Sequence, residues 1–299
     1  MKKRHIPFLT NDGLWVRMLF LVGSLAIGIL IATLLSSIAI LILKKEISTA
    51  ALTPDLLRLI QFIQSISIFV VPAVLMAYFI SAKPYRYLQL TKRPKISQVV
   101  LTVASMLIMV PFMNQIITWN EAIRLPDFMA PIEHWMREKE DIAQLATRQL
   151  LDTSSWGIRF INLLLVGVTA AVAEELFFRG MLQNIFLDKW HKKLAAVLLS
   201  AFIFSAIHLQ FYGFLPRFIL GAYFGLLLIW TGSLWIPILA HFTNNTCALI
   251  QFYIEQDQEG KALLEATITA PDMTTELLLS GGSLLLFVWI AICIKKSGA

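Results

Sequence analysis

The chain has 299 residues, of which 58% are hydrophobic and only 15% charged, with a formal net charge of +6. Soluble domains carry about a quarter charged residues, so this composition excludes an ordinary soluble enzyme and points to a membrane protein in contact with the lipid bilayer. The positive charge does not indicate nucleic acid, because the basic residues stand beside long apolar runs, as cytoplasmic loops do.

In chain order, the N-terminal "MKKRH" precedes an uncharged stretch, 18–43, that is too long for a cleaved signal core, so a retained first helix is expected. A span needs about 20 apolar residues. Eight segments qualify: 15–43, 59–82, 97–118, 157–178, 194–211, 215–231, 234–253 and 277–294. The expected fold is all-α, a polytopic membrane protein of about eight transmembrane helices forming a single integral-membrane domain over 1–299. Between the third and fourth spans, residues 131–150 are too polar to cross. Pro131 can start a helix there with Ile132, Trp135, Met136, Ile142, Leu145 and Ala146 on one side, suiting either an interfacial helix or a solvated connector. The two cysteines, Cys247 and Cys293, both lie in apolar runs and imply no disulfide framework.

Loop charge sets orientation. Basic residues gather at Lys2, Lys3, Arg4 and Arg17, at Lys83, Arg86, Lys92, Arg93 and Lys95, at Arg179, Lys189, Lys192 and Lys193, and at Lys295 and Lys296. Alternate loops are acidic, with Glu133, Glu138, Glu140 and Asp141 on one and Glu255, Asp257, Glu259 and Glu265 on another. The alternation places both termini in the cytoplasm. The short loops suggest a bacterial cell membrane.

Polar residues inside spans are functional candidates by default, since an ionised group near the bilayer centre costs about 3 kcal/mol or more. The fourth to seventh spans hold such a set: Glu174, Glu175, Arg179, His208, His241, Asn244 and Asn245. Glu175 and Arg179 are four apart and share a helix face, where an ion pair lowers the cost of burying either. Glu174 is turned about 100° away and is left available for chemistry. The alternative is a helix end at the interface, with both acids hydrated. His208 shares a face with Phe204, and His241 shares one with Asn245, which can orient the imidazole or offer its own amide donor. His241 lies about 10 Å beyond the turn at 231–233, whereas Glu174 and His208 lie about 24 Å from the turn at 189–193. The two depths agree if a helical hairpin at 180–193 protrudes or bends along the interface, so the three side chains are expected to meet in the cytoplasmic half of the membrane. A carboxylate beside a histidine can take a proton from water, and a second histidine with an amide can stabilise an oxyanion. No Gly-x-Ser-x-Gly is present, so water is the expected nucleophile and amide hydrolysis the expected reaction. Two histidines and a carboxylate also suit a divalent metal such as Zn, although no His-Glu-x-x-His occurs.

Glu174-Glu175-x-x-x-Arg179, Phe204-x-x-x-His208 and His241-x-x-x-Asn245, in that order over about 155–250, resemble the CPBP family of CAAX proteases and bacteriocin-processing or immunity proteins, which includes the Rce1-type prenyl-protein endopeptidases. The resemblance implies an eight-helix membrane endopeptidase with a catalytic core at 155–250, acting on a membrane-associated protein or peptide substrate from the cytoplasmic side. It implies that Glu174 and His208 activate water, that His241 and Asn245 hold the oxyanion, and that Glu175 pairs with Arg179. It leaves the choice between a metallo- and a glutamate-type peptidase open. It also carries a second reading, a non-catalytic immunity or scaffold protein of the same fold. A transporter would need two matching halves with interrupted helices, and these are not visible.

Overall fold

The computed structural model describes residues 7–44, 52–257 and 273–298. Lys2, Lys3, Arg4, Glu259 and Glu265 of the loop-charge pattern lie outside them. Among the described residues the regular elements are helical: α1 (Leu14–Lys44), α2 (Pro54–Ile80), α3 (Ile96–Glu121), α4 (Ala130–Leu151), α5 (Trp156–Trp190), α6 (Lys193–Ala206), α7 (Phe214–Thr231), α8 (Trp235–Gln256) and α9 (Met273–Gly298). The chain is an all-α polytopic membrane protein. Each of the eight expected spans is a helix, but six are long and apolar enough to cross a bilayer: α1, α2, α3, α5, α7 with the turn before it, and α9. Of the other two, α6 has only 14 residues. The 22-residue α8 carries His241, Thr243, Asn244, Asn245 and Thr246 in its middle, which lowers its apolar character.

Lipid-facing and protein-facing helices differ in which side chains they bury. Leu19, Leu30 and Leu34 of α1 and Leu278, Leu285 and Trp289 of α9 are exposed, as expected where the solvent is hydrocarbon. α5 is the central helix. From Glu175 to Phe186 every residue is buried, and Phe177, Phe178, Met181, Leu182 and Ile185 form the principal core with Met76, Ala77, Leu88 and Leu234. A helix segment buried on every side belongs in the middle of its bundle, and its polar side chains must then find partners there. The expected protruding hairpin at 180–193 is therefore corrected: residues 180–186 continue α5 through the core. Arg179 is corrected with it, being buried inside the bundle and not part of a basic loop.

The depth mismatch has a different resolution. The turn between α7 and α8 is sunk below the level of the α5 end. Leu234 is fully buried, its backbone N–H donates to the Gln89 carbonyl at 3.0 Å, and its Cδ2 lies 3.2 Å from where a Cβ on Gly180 would stand. Ser233 Oγ donates to the Lys92 carbonyl at 2.6 Å. Glu174 stands six residues before Gly180 and His241 seven after Leu234, about 9 and 10 Å along their helices, so the two arrive level.

Contacts also bring the basic segments to one end of the bundle. Arg17 bonds Asp188 at 3.0 Å, Gln89 bonds Asn184 at 3.1 Å, and the Lys95 ammonium donates to the Ser297 carbonyl at 2.7 Å. At the opposite end Arg159 grips Asp257 at 2.6 and 3.0 Å. That contact holds the exposed Asp257 carboxyl below its ordinary range, chiefly through the hydrogen bond from the guanidinium.

α4 lies over the bundle. Trp135 packs on Phe211 with ring centroids 5.1 Å apart, while Ile132, Ile142 and Leu145 remain exposed, so only part of the expected apolar side meets protein. Its last carbonyls, which have no partner within the helix, are taken up by Arg58 of α2 at Leu150 (2.8 Å) and Asn162 of α5 at Leu151 (3.4 Å).

The contact between α1 and α2 depends on Gly28, where a Cβ would stand 2.3 Å from the Ser67 carbonyl oxygen. Small residues permit this close approach of backbones in membranes. Gly28→Ala is expected to force the helices apart and lower the melting temperature of the detergent-solubilised protein, as read by thermal unfolding; an unchanged transition would contradict the close approach.

Candidate active site

α5 departs from α-helical geometry twice, with π turns at Leu163–Thr169 and Leu176–Gln183, and the acids lie in the short α-helical stretch between them, Ala170–Glu175. A π turn shifts the backbone ladder and leaves carbonyls for side chains to claim. Within the first, Thr169 Oγ1 donates to the Leu164 carbonyl at 2.9 Å and Asn245 Nδ2 of α8 to the Val166 carbonyl at 2.9 Å. Within the second, Ser200 Oγ of α6 donates to the Phe178 carbonyl at 3.0 Å. The two irregular turns thereby fasten α5 to its neighbours on both sides of the acids.

Glu175 is fully buried and accepts from Arg179 Nη1 at 2.6 Å and from His241 Nδ1 at 2.8 Å on one oxygen, Oε1. The alternative of hydrated acids at a helix end is excluded for Glu175 by this burial. Arg179, 1% exposed, donates from Nη2 to the Gly221 carbonyl at 3.1 Å, and its guanidinium carbon lies 4.5 Å from the centre of the Phe204 ring and 5.3 Å from that of Phe224. Gly221 makes this possible: a Cβ there would stand 3.1 Å from Phe204 Cδ1 and 3.2 Å from Arg179 Nη2.

The Glu175 carboxylate can only accept, so His241 holds its proton on Nδ1 and directs Nε2 elsewhere. Nε2 lies 3.8 Å from Glu174 Oε2, too far for a direct hydrogen bond and close enough for one water to touch both. The imidazole is stacked on Phe224, ring centroids 5.2 Å apart and planes 25° apart. Glu174, unlike its neighbour, keeps 17% of its side chain accessible.

His208 is not on the helix that carries Phe204, as the spacing predicts, but in the turn beyond α6, which ends at Ala206. Its Nδ1 is 2.7 Å from the Phe204 carbonyl oxygen. A carbonyl also only accepts, so His208 caps the end of α6 through Nδ1–H and leaves Nε2 unbonded. Asn245 makes no bond to His241; its amide turns to Val166 and to Asn244, whose Nδ2 donates to Asn245 Oδ1 at 3.4 Å.

Glu174, His208, His241, Asn244 and Asn245 all line one cavity of about 680 Å³, with Phe204 and Phe224 in its wall. Arg179 and Glu175 lie behind that wall. Gln61 and Gln64 of α2 and Ala146, Thr147 and Leu150 of α4 close other sides. Arg217 lines it too, and sequence reasoning passed over it, although an arginine within "FLPRFIL" meets the same rule that singled out Arg179.

Residues 156–247 match the family model described as Type II CAAX prenyl endopeptidase Rce1-like. Over that segment the chain is similar to the Rce1-like endopeptidases. The matched segment starts with α5 and ends within α8, and so contains all three motifs. No curated protein and no solved structure gives a match. The Rce1-like match and the six apolar helices make this an integral membrane protein.

The donors do not fit a zinc site as they stand. Among the described residues no three His, Cys, Asp or Glu side chains group as a metal-holding set. The Nδ1 bonds of His208 and His241 leave Nε2 of each ring free, an arrangement that a metal-ligating histidine also adopts, so the misfit lies in the placement of the donors and not in these bonds.

Removing Arg179 would leave the buried Glu175 carboxyl without its cationic partner. Arg179→Ala is expected to cost about 3–5 kcal/mol of stability, visible as a large fall in melting temperature in detergent; a change below about 1 kcal/mol would show that the pair is dispensable.

Proposed function

We propose that this Rce1-like protein is an intramembrane endopeptidase, CAAX-protease-like in type, that cleaves a membrane-associated protein or peptide with a water activated by Glu174. The observation that carries the reading is the convergence of Glu174 and the imidazoles of His208 and His241 on one cavity in a membrane-embedded bundle. The name of the matched family supports the reaction class.

The chemistry follows from what each side chain has free. Glu174 takes a proton from water, assisted by the unbonded Nε2 of His208, and the hydroxide adds to the peptide carbonyl carbon. The carbonyl becomes an oxyanion, held by the Nε2–H of His241 in its protonated form and by the second amide hydrogen of Asn245, whose first is spent on Val166. Glu174 then returns the proton to the amine nitrogen, the C–N bond breaks, and an acid and an amine leave. Glu175 acts through His241. By bonding Nδ1–H it fixes the tautomer, turns Nε2 to the cavity and balances positive charge on the ring.

Water is rationed by the surroundings. Phe204, Phe224, Leu220 and Leu249 supply apolar wall, so the few polar groups act at low dielectric. The gathering of basic segments at one end supports an orientation with both termini in the cytoplasm.

Glu174→Gln keeps shape and removes the base. It should lower cleavage of a membrane-tethered reporter by about 10²-fold or more while leaving expression and melting temperature close to wild type. Undiminished cleavage would remove Glu174 from the mechanism; an undiminished biological effect without cleavage by either protein would favour the non-catalytic immunity or scaffold role.

A further inference from the structure

Arg217 stands apart from the other arginines of the bundle. Among the described residues, Arg17, Arg58, Arg137, Arg159 and Arg179 are buried or half-buried, and each has a carboxylate oxygen within 3.0 Å. Arg217 is half-buried as well, yet its hydrogen-bond partners are neutral. Nη1 donates to the Gln210 carbonyl at 3.0 Å and Nη2 to Gln210 Oε1 at 2.6 Å. A guanidinium has five N–H donors, so three remain. The residue nevertheless lines the cavity that holds Glu174, His208 and His241.

Its position is built. Gly213, at the turn before α7, lies so close beneath the guanidinium that a Cβ would stand 2.5 Å from Nη2 and 2.8 Å from Cζ. Gln210 grips it from two atoms and is itself tied to α4, with Nε2 donating to Glu140 Oε1 at 3.3 Å. The nearest acids, Glu140 and Glu174, act on Arg217 through space, and neither makes a salt bridge with it. A cation withdrawn from water, fixed in orientation and short of a counter-ion favours an anion with two acceptors on one edge, which a carboxylate has and an amide lacks.

We propose that Arg217 is the anchor of a carboxylate-binding subsite within the cavity, seating an acidic group of the bound peptide beside the catalytic acid. The subsite rests on the peptidase reading for its substrate class, but its binding chemistry is separable from turnover. The carboxylate is supplied by an acidic side chain or by a free C-terminus. Seated on Arg217, it compensates the guanidinium and fixes the register of the peptide against Glu174. Arg217 thereby acts as a positioning and specificity residue.

The test uses the full-length Glu174→Gln protein in detergent micelles and acylated fluorescent peptides that differ in one group: Glu against Gln near the middle, and a free against an amidated C-terminus. One of the two carboxylates should bind about tenfold more tightly than its amide counterpart, and the arm in which this occurs names the source. Arg217→Gln, added to the same protein, should abolish that preference, and Arg217→Lys should keep part of it; Lys also serves if the Gln variant does not fold. Absence of a preference in both arms, including failure of all the peptides to bind, overturns the subsite, as does a preference that survives Arg217→Gln. Cleavage by wild-type protein without charge preference would defeat the subsite and leave the peptidase. A preference that depends on Arg217, with no cleavage by wild type, would defeat the peptidase and leave the subsite.

Discussion

The buried pair of Glu175 and Arg179 constrains everything around it. Taking two ions out of water costs several kcal/mol each, and their attraction offsets this only with close geometry and further hydrogen bonds. The fold supplies those in several ways. Helical spacing brings the charges to 2.6 Å, the Gly221 carbonyl takes a second guanidinium hydrogen, and Phe204 and Phe224 lie beside the cation. The remaining requirement on Glu175 Oε1 is met by His241. Thus one electrostatic necessity of the core also fixes the ring that faces the cavity. A helix bundle held by apolar packing alone would leave that ring free to rotate.

The geometry of α5 makes the rest consistent. A 35-residue helix, about 52 Å if straight, exceeds the hydrocarbon thickness. Its two π turns interrupt the regular ladder above and below Glu174 and Glu175, and the displaced carbonyls become anchor points for α6 and α8. The sunken turn before α8 brings His241 to the same level. The short α6 ends early, which releases His208 into a turn where its Nδ1 caps the helix. Both imidazoles therefore hold Nδ1–H against protein acceptors, by different local devices. α4, tied down by Arg58, Asn162 and Gln210, closes the side of the cavity that the long helices leave open.

How much of this could be read from sequence depended on range. The pairing of Glu175 with Arg179 was legible because spacing on one helix is a local matter, and the division of labour between adjacent acids follows from the 100° turn per residue. That Glu174, His208 and His241 share a cavity was legible only as a matching of depths, and the route offered for it, a protruding hairpin at 180–193, was wrong. Nothing local marks "GMLQNIF" as core: the side-chain amides of Gln183 and Asn184 donate to the Gly225 and Tyr87 carbonyls, partners distant in sequence, and Asn184 also reaches the Gly180 carbonyl one turn back. The π turns were invisible for a similar reason, since their Val166 and Phe178 carbonyls are bonded from other helices. The bond from His241 to Glu175 was also missed, because it needs the relative rotation of two helices. Arg217 was the avoidable omission.

Charge accounting across the site ties these pieces together. Glu175 and Arg179 cancel each other in the wall. His241 has Glu174 at 3.8 Å on one side while it stays bonded to Glu175 on the other. On the proposed reading, the charges that develop during hydrolysis would be met by groups already in the cavity wall, which matters because a membrane interior makes an unpaired charge costly. Among the described residues, Arg217 is the half-buried arginine with no carboxylate in hydrogen-bond reach, and it lines the same cavity. A peptide that brings its own negative charge would complete the neutrality that the protein leaves unfinished, so that binding and electrostatic balance become the same event.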